Sequence, residues 1–595
     1  MNKKLQSKLI NISFFSLVLF SVLSCTRGSR VSATDDTLRI PIIADARTMD
    51  PVLVEETYSA YMTSLVYEGL LEYHYLKRPH ELIPSLAETM PTISSDGLEY
   101  IFKIRKGVHF TDHPSFRDGK GREVKAKDFI YSFLRVADPK IGTGNFWIFD
   151  GHIKGLNEWR DVQKKLGNTN YDELPEGFSA PDDYTLKIKL TRKYPQLLFV
   201  LAMPITFVVP REVVEALGPD FVNKPIGSGP YKLVEWLKNS KVSFEKNPNY
   251  RGQVYPSEGE PGDKEANLLG DAGKTIPFAS KIEYLVFVED STAWLTLKSG
   301  GVDVGGIPKD NYKEAIDVAS QDLTEDFKKK GMFLRKAIDP DVTYLAFNLE
   351  DPVIKKGGVN LRRAIAHALD NKKNIEEFYN NRALQAHSPV PPGIAGYEED
   401  FVNPYTEYNI EKAKEYLAKA GFPEGKGMPD LVYESTQGAT SRQRAEKVQR
   451  ELQKIGINLK VNVNQFAELS KKLNDKKAQF WGIAWLADYP DAENFLQLLY
   501  GKNKAPGPNA SNMDNPEYNK LYEQVRGMVD SPERRKLIRR MKEIFTEELP
   551  WIVETHRLAY QVNMPWTYNS KPGYMGSSPA KYMRVDPERR AKGLK

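Results

Sequence analysis

Ser441–Val463 reads SRQRAEKVQRELQKIGINLKVNV. Ala445, Val448, Leu452 and Ile455 recur at helical spacing, so they share one face. Gly456 stops that helix. Ile457-Asn-Leu-Lys-Val-Asn-Val463 then alternates apolar and polar residues, the period of a half-buried strand. A helix halted at glycine and followed at once by a strand is the local grammar of an α/β domain.

The same grammar extends in both directions. Upstream, Asn409 is placed to cap a helix whose Ile410, Ala413, Leu417 and Ala420 share a face, and Gly421 and Pro423 end it. Strands are predicted at Leu38–Ile43, Glu99–Arg105, Tyr184–Leu190 and Lys241–Lys246. Two stretches rich in glycine, proline and scattered charge, Lys140–Pro181 and Gln253–Ser280, read as surface loops or insertions. No repeat of solenoid period is present.

Length predicts two or three domains, because 595 residues exceed what one core organises. Hydrophobic residues at 41% and charged residues at 27% are an ordinary globular balance. Residues 1–24 differ: Lys3, Lys4 and Lys8 precede an apolar run from Leu9 to Leu23, about the length of a signal-peptide core and short for a membrane span. The run ends at Val22-Leu23-Ser24-Cys25, which resembles the bacterial lipobox, where the cysteine is lipidated and becomes the first residue. Cys25 is the sole cysteine, so the mature chain is expected to hold no disulfide. Residues 25–37 then serve as lipidated anchor and tether. Removing three lysines takes the net charge from +5 to 5 − 3 = +2, a balance that argues against nucleic acid as a partner.

The motifs of common enzymes are missing or incomplete. Asp271-Ala-Gly-Lys-Thr275 carries the Gly-Lys-Thr of a phosphate loop, but Leu268 stands where its first glycine belongs and Pro277 breaks the helix it requires. His109 and His113 are four apart, yet they follow a strand, precede Pro114 and have no third ligand in pattern. No nucleophile elbow and no dinucleotide fingerprint occur. The chain is therefore expected to be no enzyme and to hold neither metal nor cofactor.

An ordered series of segments carries more. Thr48-Met-Asp-Pro51 is followed by Val66-Tyr-Glu-Gly-Leu70, Ile83-Pro-Ser-Leu-Ala-Glu88, Asp96-Gly-Leu-Glu-Tyr100, Arg105–Asp112 and Val124–Phe129. Pro225-Ile-Gly-Ser-Gly-Pro-Tyr231, Asn247-Pro-Asn-Tyr250, Leu297–Asp303, Val359–Asp370 and Ala487-Asp-Tyr-Pro-Asp491 complete it. In order and spacing this resembles the family 5 extracytoplasmic solute-binding proteins, the oligopeptide-, dipeptide- and nickel-binding proteins of ABC transporters, over about residues 38–565. By themselves, Gly227 and Gly229 read as a strained turn leading a strand. Arg362 and Arg363 read as surface or interdomain pairs.

The resemblance implies a type II periplasmic-binding-protein-like α/β fold of three domains. Domain I would comprise 36–80, 213–335 and 560–595, domain II 81–212 and domain III 336–559, with the ligand cleft between I and III. It implies a monomer that captures a short peptide and delivers it to a membrane permease. A non-peptide cargo (nickel chelate, haem, opine or sugar) and a sensor or surface-lipoprotein role remain open. The segment Gly482–Asp488 matches the one that lies along bound peptide as an added strand: Ala484 and Leu486 would pair with it, Trp485 would line a side-chain pocket, and Asp488 would receive the ligand's α-ammonium. A strand ending at a helix cap is the alternative. Val54-Glu-Glu-Thr57 matches the opposing strand, with Glu55 and Thr57 as ligand contacts or Glu55 and Glu56 as solvated loop acids. Asn145–Phe149, with Trp147, resembles an aromatic loop that reaches the cleft, or else packs in the core.

Overall fold

The structure, a computed structural model, describes residues 34–594. The expected leader and Cys25 lie outside them. Among the described residues no helix is long and apolar enough to cross a membrane.

The chain packs three residues earlier than expected. Asp35 pairs with Arg39 (2.8 Å), Asp36 accepts from the Ser280 N–H (3.1 Å), and Thr37 is buried. Leu38–Ile42 then runs parallel to Lys281–Val286, which is followed across the sheet by Lys241–Lys246 and Tyr231–Leu237, both antiparallel. Strands more than two hundred residues apart are thus neighbours, and buried Asp303 ties their surroundings together. It accepts from the Arg39 N–H (2.7 Å), from Trp566 Nε1 (2.7 Å) and from Arg590 near the carboxyl end.

A second sheet, Thr92–Ile93, Glu99–Lys103, Thr185–Lys189 and Phe178–Asp182, lies within residues 81–212. The helix Ala126–Ala137 packs against it. Lys140–Pro181 is not one loop. It contains the helix Leu156–Leu166, whose Leu156, Trp159 and Gln163 are buried at helical spacing. Trp159 anchors it by donating to the Glu173 carbonyl (2.6 Å). Gln253–Ser280 is pinned as well: Gln253–Val254 pairs with Thr275–Ile276, Tyr255 and Leu268 are buried, and Asp271 is held by Lys274 (2.5 Å) and Arg584 (2.8 Å).

The largest sheet runs Val304–Gly306, Trp551–Asn563, Asp341–Phe347, Phe480–Leu486, Leu431–Thr436, Leu459–Asn464. Asp341–Phe347 is buried along its whole length, with Val342, Tyr344 and Ala346 in one core and Leu345 and Phe347 in the other. A strand covered on both faces needs such a continuous apolar run. Helices Ile410–Lys419 and Ala439–Gln453 cover one face through Ala413, Leu417, Ala445, Val448 and Leu452. Asn409 caps the first as expected, accepting from the Lys412 N–H (3.1 Å). The second begins two residues before Ser441. Trp551–Asn563 crosses the expected boundary at 559/560 because it pairs with Asp341–Phe347 on one side of it and with Phe333–Ile338 on the other. One thirteen-residue strand is thus common to the two lobes that the expected domains I and III would form.

Several motifs are staples between segments. Asp50 forms a buried two-point pair with Arg135 (2.8 and 2.7 Å), and Glu68 pairs with Arg251 (2.9 Å). Gly227 and Gly229 do not carry positive φ. A Cβ on Gly227 would stand 2.2 Å from the Val66 carbonyl oxygen and one on Gly229 2.6 Å from the Val66 carbonyl carbon, so these glycines serve close approach rather than a strained turn. Arg362 is no surface pair. It is buried and donates to the Glu548 (2.6 Å) and Leu549 (3.1 Å) carbonyls at the end of helix Pro532–Glu548. Arg363 donates to the Glu547 carbonyl (3.1 Å). A cation there satisfies orphan carbonyls and opposes the helix dipole.

The lobes touch at one further helix end. Gly438, at φ 109°, precedes helix Ala439–Gln453 and supplies no side-chain cap. The cap comes from the other lobe: the Ala439 N–H donates to Glu289 Oε2 (3.1 Å), and Thr440 Oγ1 donates to Asp290 Oδ2 (3.4 Å). Losing a cap costs about 0.5–2 kcal/mol. Replacing Glu289 and Asp290 together with Ala is expected to raise the radius of gyration of the unliganded protein in small-angle scattering and to weaken ligand binding roughly 2- to 30-fold.

Candidate functional site

Phe480–Leu486 runs antiparallel to Asp341–Phe347 without a register shift. Just beyond its two ends, the Ala487 N–H donates to the Pro340 carbonyl (2.9 Å) and the Asn348 N–H donates to the Gln479 carbonyl (3.0 Å). These bonds fix the parity of the ladder. Odd-numbered residues exchange hydrogen bonds with Asp341–Phe347, and even-numbered ones turn their N–H and C=O to the opposite side. On that side Leu431–Thr436 pairs only with Phe480 and Trp481. Ala484 and Leu486 therefore present both backbone groups to an unpaired edge, ready for a further strand.

Asp488 closes the end of that edge. Its Oδ2 accepts from Asn494 Nδ2 (2.9 Å), and its backbone N–H donates to Asn494 Oδ1 (2.9 Å). The same Oδ1 accepts from Trp485 Nε1 (3.0 Å). Asn494 is fully buried on the short helix Glu493–Leu496. The loop before it is anchored by Asp491, which accepts from the Glu493 N–H (2.8 Å) and from buried Arg534 (2.6 Å). Asp488 does not cap this helix, whose N-cap is Ala492.

The other lobe stands against the same point. A Cβ on Gly576 would lie 3.6 Å from the Asp488 carbonyl oxygen. The Tyr73, Phe199 and Tyr489 rings form a stack with centroids 6.5 and 6.0 Å apart, drawing one ring from each of the three predicted domains. Asp488 thus sits where they meet, partly open to solvent but enclosed by protein. Among the described residues no Lys, Arg or His pairs with it. Burial pushes its carboxyl up to about 6, opposed by the Asn494 hydrogen bond and aided by the charge of Glu493. Between strands Phe333–Ile338 and Asp341–Phe347, burial likewise pushes Asp339 up to about 6, against the pull of Arg557. Burial raises the nearby Tyr61 hydroxyl to about 12.

Val54–Thr57 forms no strand. Val54 and Glu56 have extended backbone angles, but Thr57 is already the first residue of helix Thr57–Val66. Glu56 caps that helix, accepting from the Tyr58 (2.6 Å) and Ser59 (2.8 Å) N–H groups. Glu55 is exposed and hydrogen-bonded to Arg47 (3.3 Å). The turn bearing Trp147 buttresses this segment: Thr143 Oγ1 donates to the Val52 carbonyl (2.6 Å) and Asn145 Nδ2 to the Val54 carbonyl (2.9 Å). Trp147 itself packs half-buried on the core. A Cβ on Gly144 would lie 3.0 Å from Glu55 Oε1 and 3.1 Å from the Pro506 carbonyl, so this group also meets the second lobe. The structure joins Trp485 and Asp488 through one amide and Glu55 to the Trp147 turn; among the described residues no hydrogen bond links the two groups. Sequence reading missed Asn494, although its six-residue spacing from Asp488 in a loop rich in Asp and Pro was visible.

Residues 81–507, more than half of the chain, match the family model for bacterial extracellular solute-binding proteins, family 5. The chain belongs to that family. Its family-5 relatives include the oligopeptide-binding protein OppA of Bacillus subtilis, 24% identical with 88% of each chain covered. The dipeptide-binding protein of Escherichia coli is 25% identical, with 85% of this chain and 86% of the relative covered. Heme-binding protein A of Haemophilus influenzae is 24% identical, with 86% and 85% covered. Among solved structures, the DppA periplasmic binding protein of Helicobacter pylori in complex with peptide STSA superposes with a TM-score of 0.75 at 24% identity, covering 92% of this chain and 98% of the other. This family-5 chain therefore has the α/β periplasmic-binding-protein-like fold and belongs to a solute-binding, extracytoplasmic family rather than an enzymatic one.

The pH dependence has a definite sign. Because the folded protein holds the Asp488 carboxyl at about 6, above its ordinary 3.8, the neutral form is favoured. That stabilisation is complete below about pH 4 and is lost as pH rises through 6. Asp488→Asn removes the charge. The unliganded variant is expected to melt above the wild type at pH 8, with the difference vanishing at pH 4, as read by differential scanning calorimetry.

Proposed function

We propose that this chain captures short peptides in the cleft between its lobes and delivers them to the permease of an ABC transporter. One observation carries the reading: a carboxylate that has no cationic partner among the described residues closes the end of an unpaired strand edge. A peptide's main chain satisfies such an edge whatever its side chains, and its α-ammonium supplies the missing cation. Ala484 and Leu486 would pair with the ligand backbone, Trp485 would wall the first side-chain pocket, and Asp488 would receive the amine. Glu55, Thr57 and Trp147 would approach from the opposite lobe. Relatives named as oligopeptide- and dipeptide-binding proteins, and a solved relative holding peptide STSA, support this cargo. Heme-binding protein A and a probable deoxycholate-binding relative point to other cargo in the same fold. An anion such as deoxycholate would meet repulsion at Asp488. In this reading the mature protein is a monomer, lipidated at Cys25 and held to the outer face of a bacterial membrane.

Isothermal calorimetry tests the cargo. Short peptides with a free amine are expected to bind, a micromolar Kd corresponding to roughly 8 kcal/mol. N-acetylation is expected to remove about 2–5 kcal/mol, because one buried charge then lacks its partner. Equal binding of acetylated and free peptides would reject the assignment.

A further inference from the structure

The Asp488 carboxylate is held through one oxygen only. Asn494 Nδ2 takes Oδ2, while Oδ1 has no hydrogen-bond partner among the described residues. The Asn494 amide oxygen is doubly used, by the Asp488 N–H and by Trp485 Nε1. One fully buried amide thus fixes the backbone at Asp488, the rotation of its carboxylate and the plane of the Trp485 indole. We propose that Asn494 is a positioning residue: it locks the Asp488 carboxylate so that Oδ1 faces the incoming ammonium, and sets the Trp485 wall beside it.

The inference rests on the ammonium reading above and deepens it. An amide is suited to this place. It offers a donor to one carboxylate oxygen and an acceptor to two N–H groups without a charge of its own, so it orders the carboxylate without neutralising it. A lysine or arginine here would pair with Asp488 in the unliganded protein and remove the reason to bind a cation. An aspartate would present a third negative group beside Glu493, whose carboxylate bonds the Tyr489 hydroxyl (2.5 Å). The groups facing Asp488 are Glu493 from its own loop and Tyr73 from the opposite lobe. Burial raises the Tyr73 hydroxyl well above its ordinary value, so among the described residues Glu493, whose own carboxyl is raised by burial, is the neighbour whose charge raises Asp488.

The test is the pH profile of peptide affinity for wild type, Asn494→Ala and Asn494→Ser, with Asp488→Asn alongside. Wild-type affinity is expected to be greatest near pH 7, to fall toward tenfold per unit below about 6 as Asp488 protonates, and to fall above about 8 as the peptide amine loses its proton. Asn494→Ala removes the hydrogen bond that favours the charged carboxylate. Its acid-side fall-off is expected to begin about one pH unit higher, and its greatest affinity to lie about tenfold below that of wild type through lost orientation. Asn494→Ser keeps a short donor and is expected to lie between the two. Melting curves identify any variant that does not fold, and Asn494→Ser serves where Asn494→Ala fails. A uniform loss at every pH, with the midpoint unmoved, would assign Asn494 a structural role only and overturn the inference. If Asp488→Asn itself binds peptide as wild type does, the ammonium reading fails instead, whatever the Asn494 variants show.

Discussion

A carboxylate enclosed by protein and paired, among the described residues, with no cation is costly to ionise, and in the proposed reading a ligand's ammonium offsets that cost. Ionised Asp488 keeps one hydrogen bond to Asn494 and is pushed upward by burial and by Glu493. Desolvating a charge that lacks a partner is the expensive case. Everything that holds Asp488 in place, from Arg534 through Asp491 to the amide of Asn494, spends rigidity on keeping that charge where it is. Its position also ends the edge on which Ala484 and Leu486 leave their backbone groups unpaired, so charge and strand edge ask for the same guest.

Trp551–Asn563 pairs with strands assigned to expected domains I and III, so in the proposed capture it is the element about which the two would close. The contacts between them include Glu289 and Asp290 at an uncapped helix end, Gly576 against the Asp488 carbonyl, and the stack of Tyr73, Phe199 and Tyr489. The proposed capture requires ligand contacts to decide which arrangement is populated. The glycine pair at 227 and 229 and the Asp50–Arg135 pair act elsewhere, fixing segments within a lobe.

Much of this was legible in the sequence, because it was local. The helix and strand around Gly456, the Asn409 cap and the alternation of Lys241–Lys246 are set by nearest neighbours in the chain. The apolar run ending at Asp488 was readable for the same reason. What escaped depends on partners remote in sequence. The helix Leu156–Leu166 hides among polar residues, because it needs only one buried stripe and the Glu173 carbonyl to anchor Trp159. Val54–Thr57 looked like a strand, but Glu56 caps a helix. Arg362 reads as a surface or interdomain pair, but the carbonyls it satisfies lie more than 180 residues away within the same expected domain. Asn494 carries no charge and sits in no motif; its role exists only once the loop brings it back onto Asp488.

A crystal structure of the protein bound to a short peptide with a free amine is the most direct measurement. The account predicts the peptide backbone hydrogen-bonded to the N–H and C=O groups of Ala484 and Leu486, and its ammonium at about 2.7–2.9 Å from Asp488 Oδ1. A ligand lodged elsewhere, or one in the cleft with Asp488 facing only water, would contradict it.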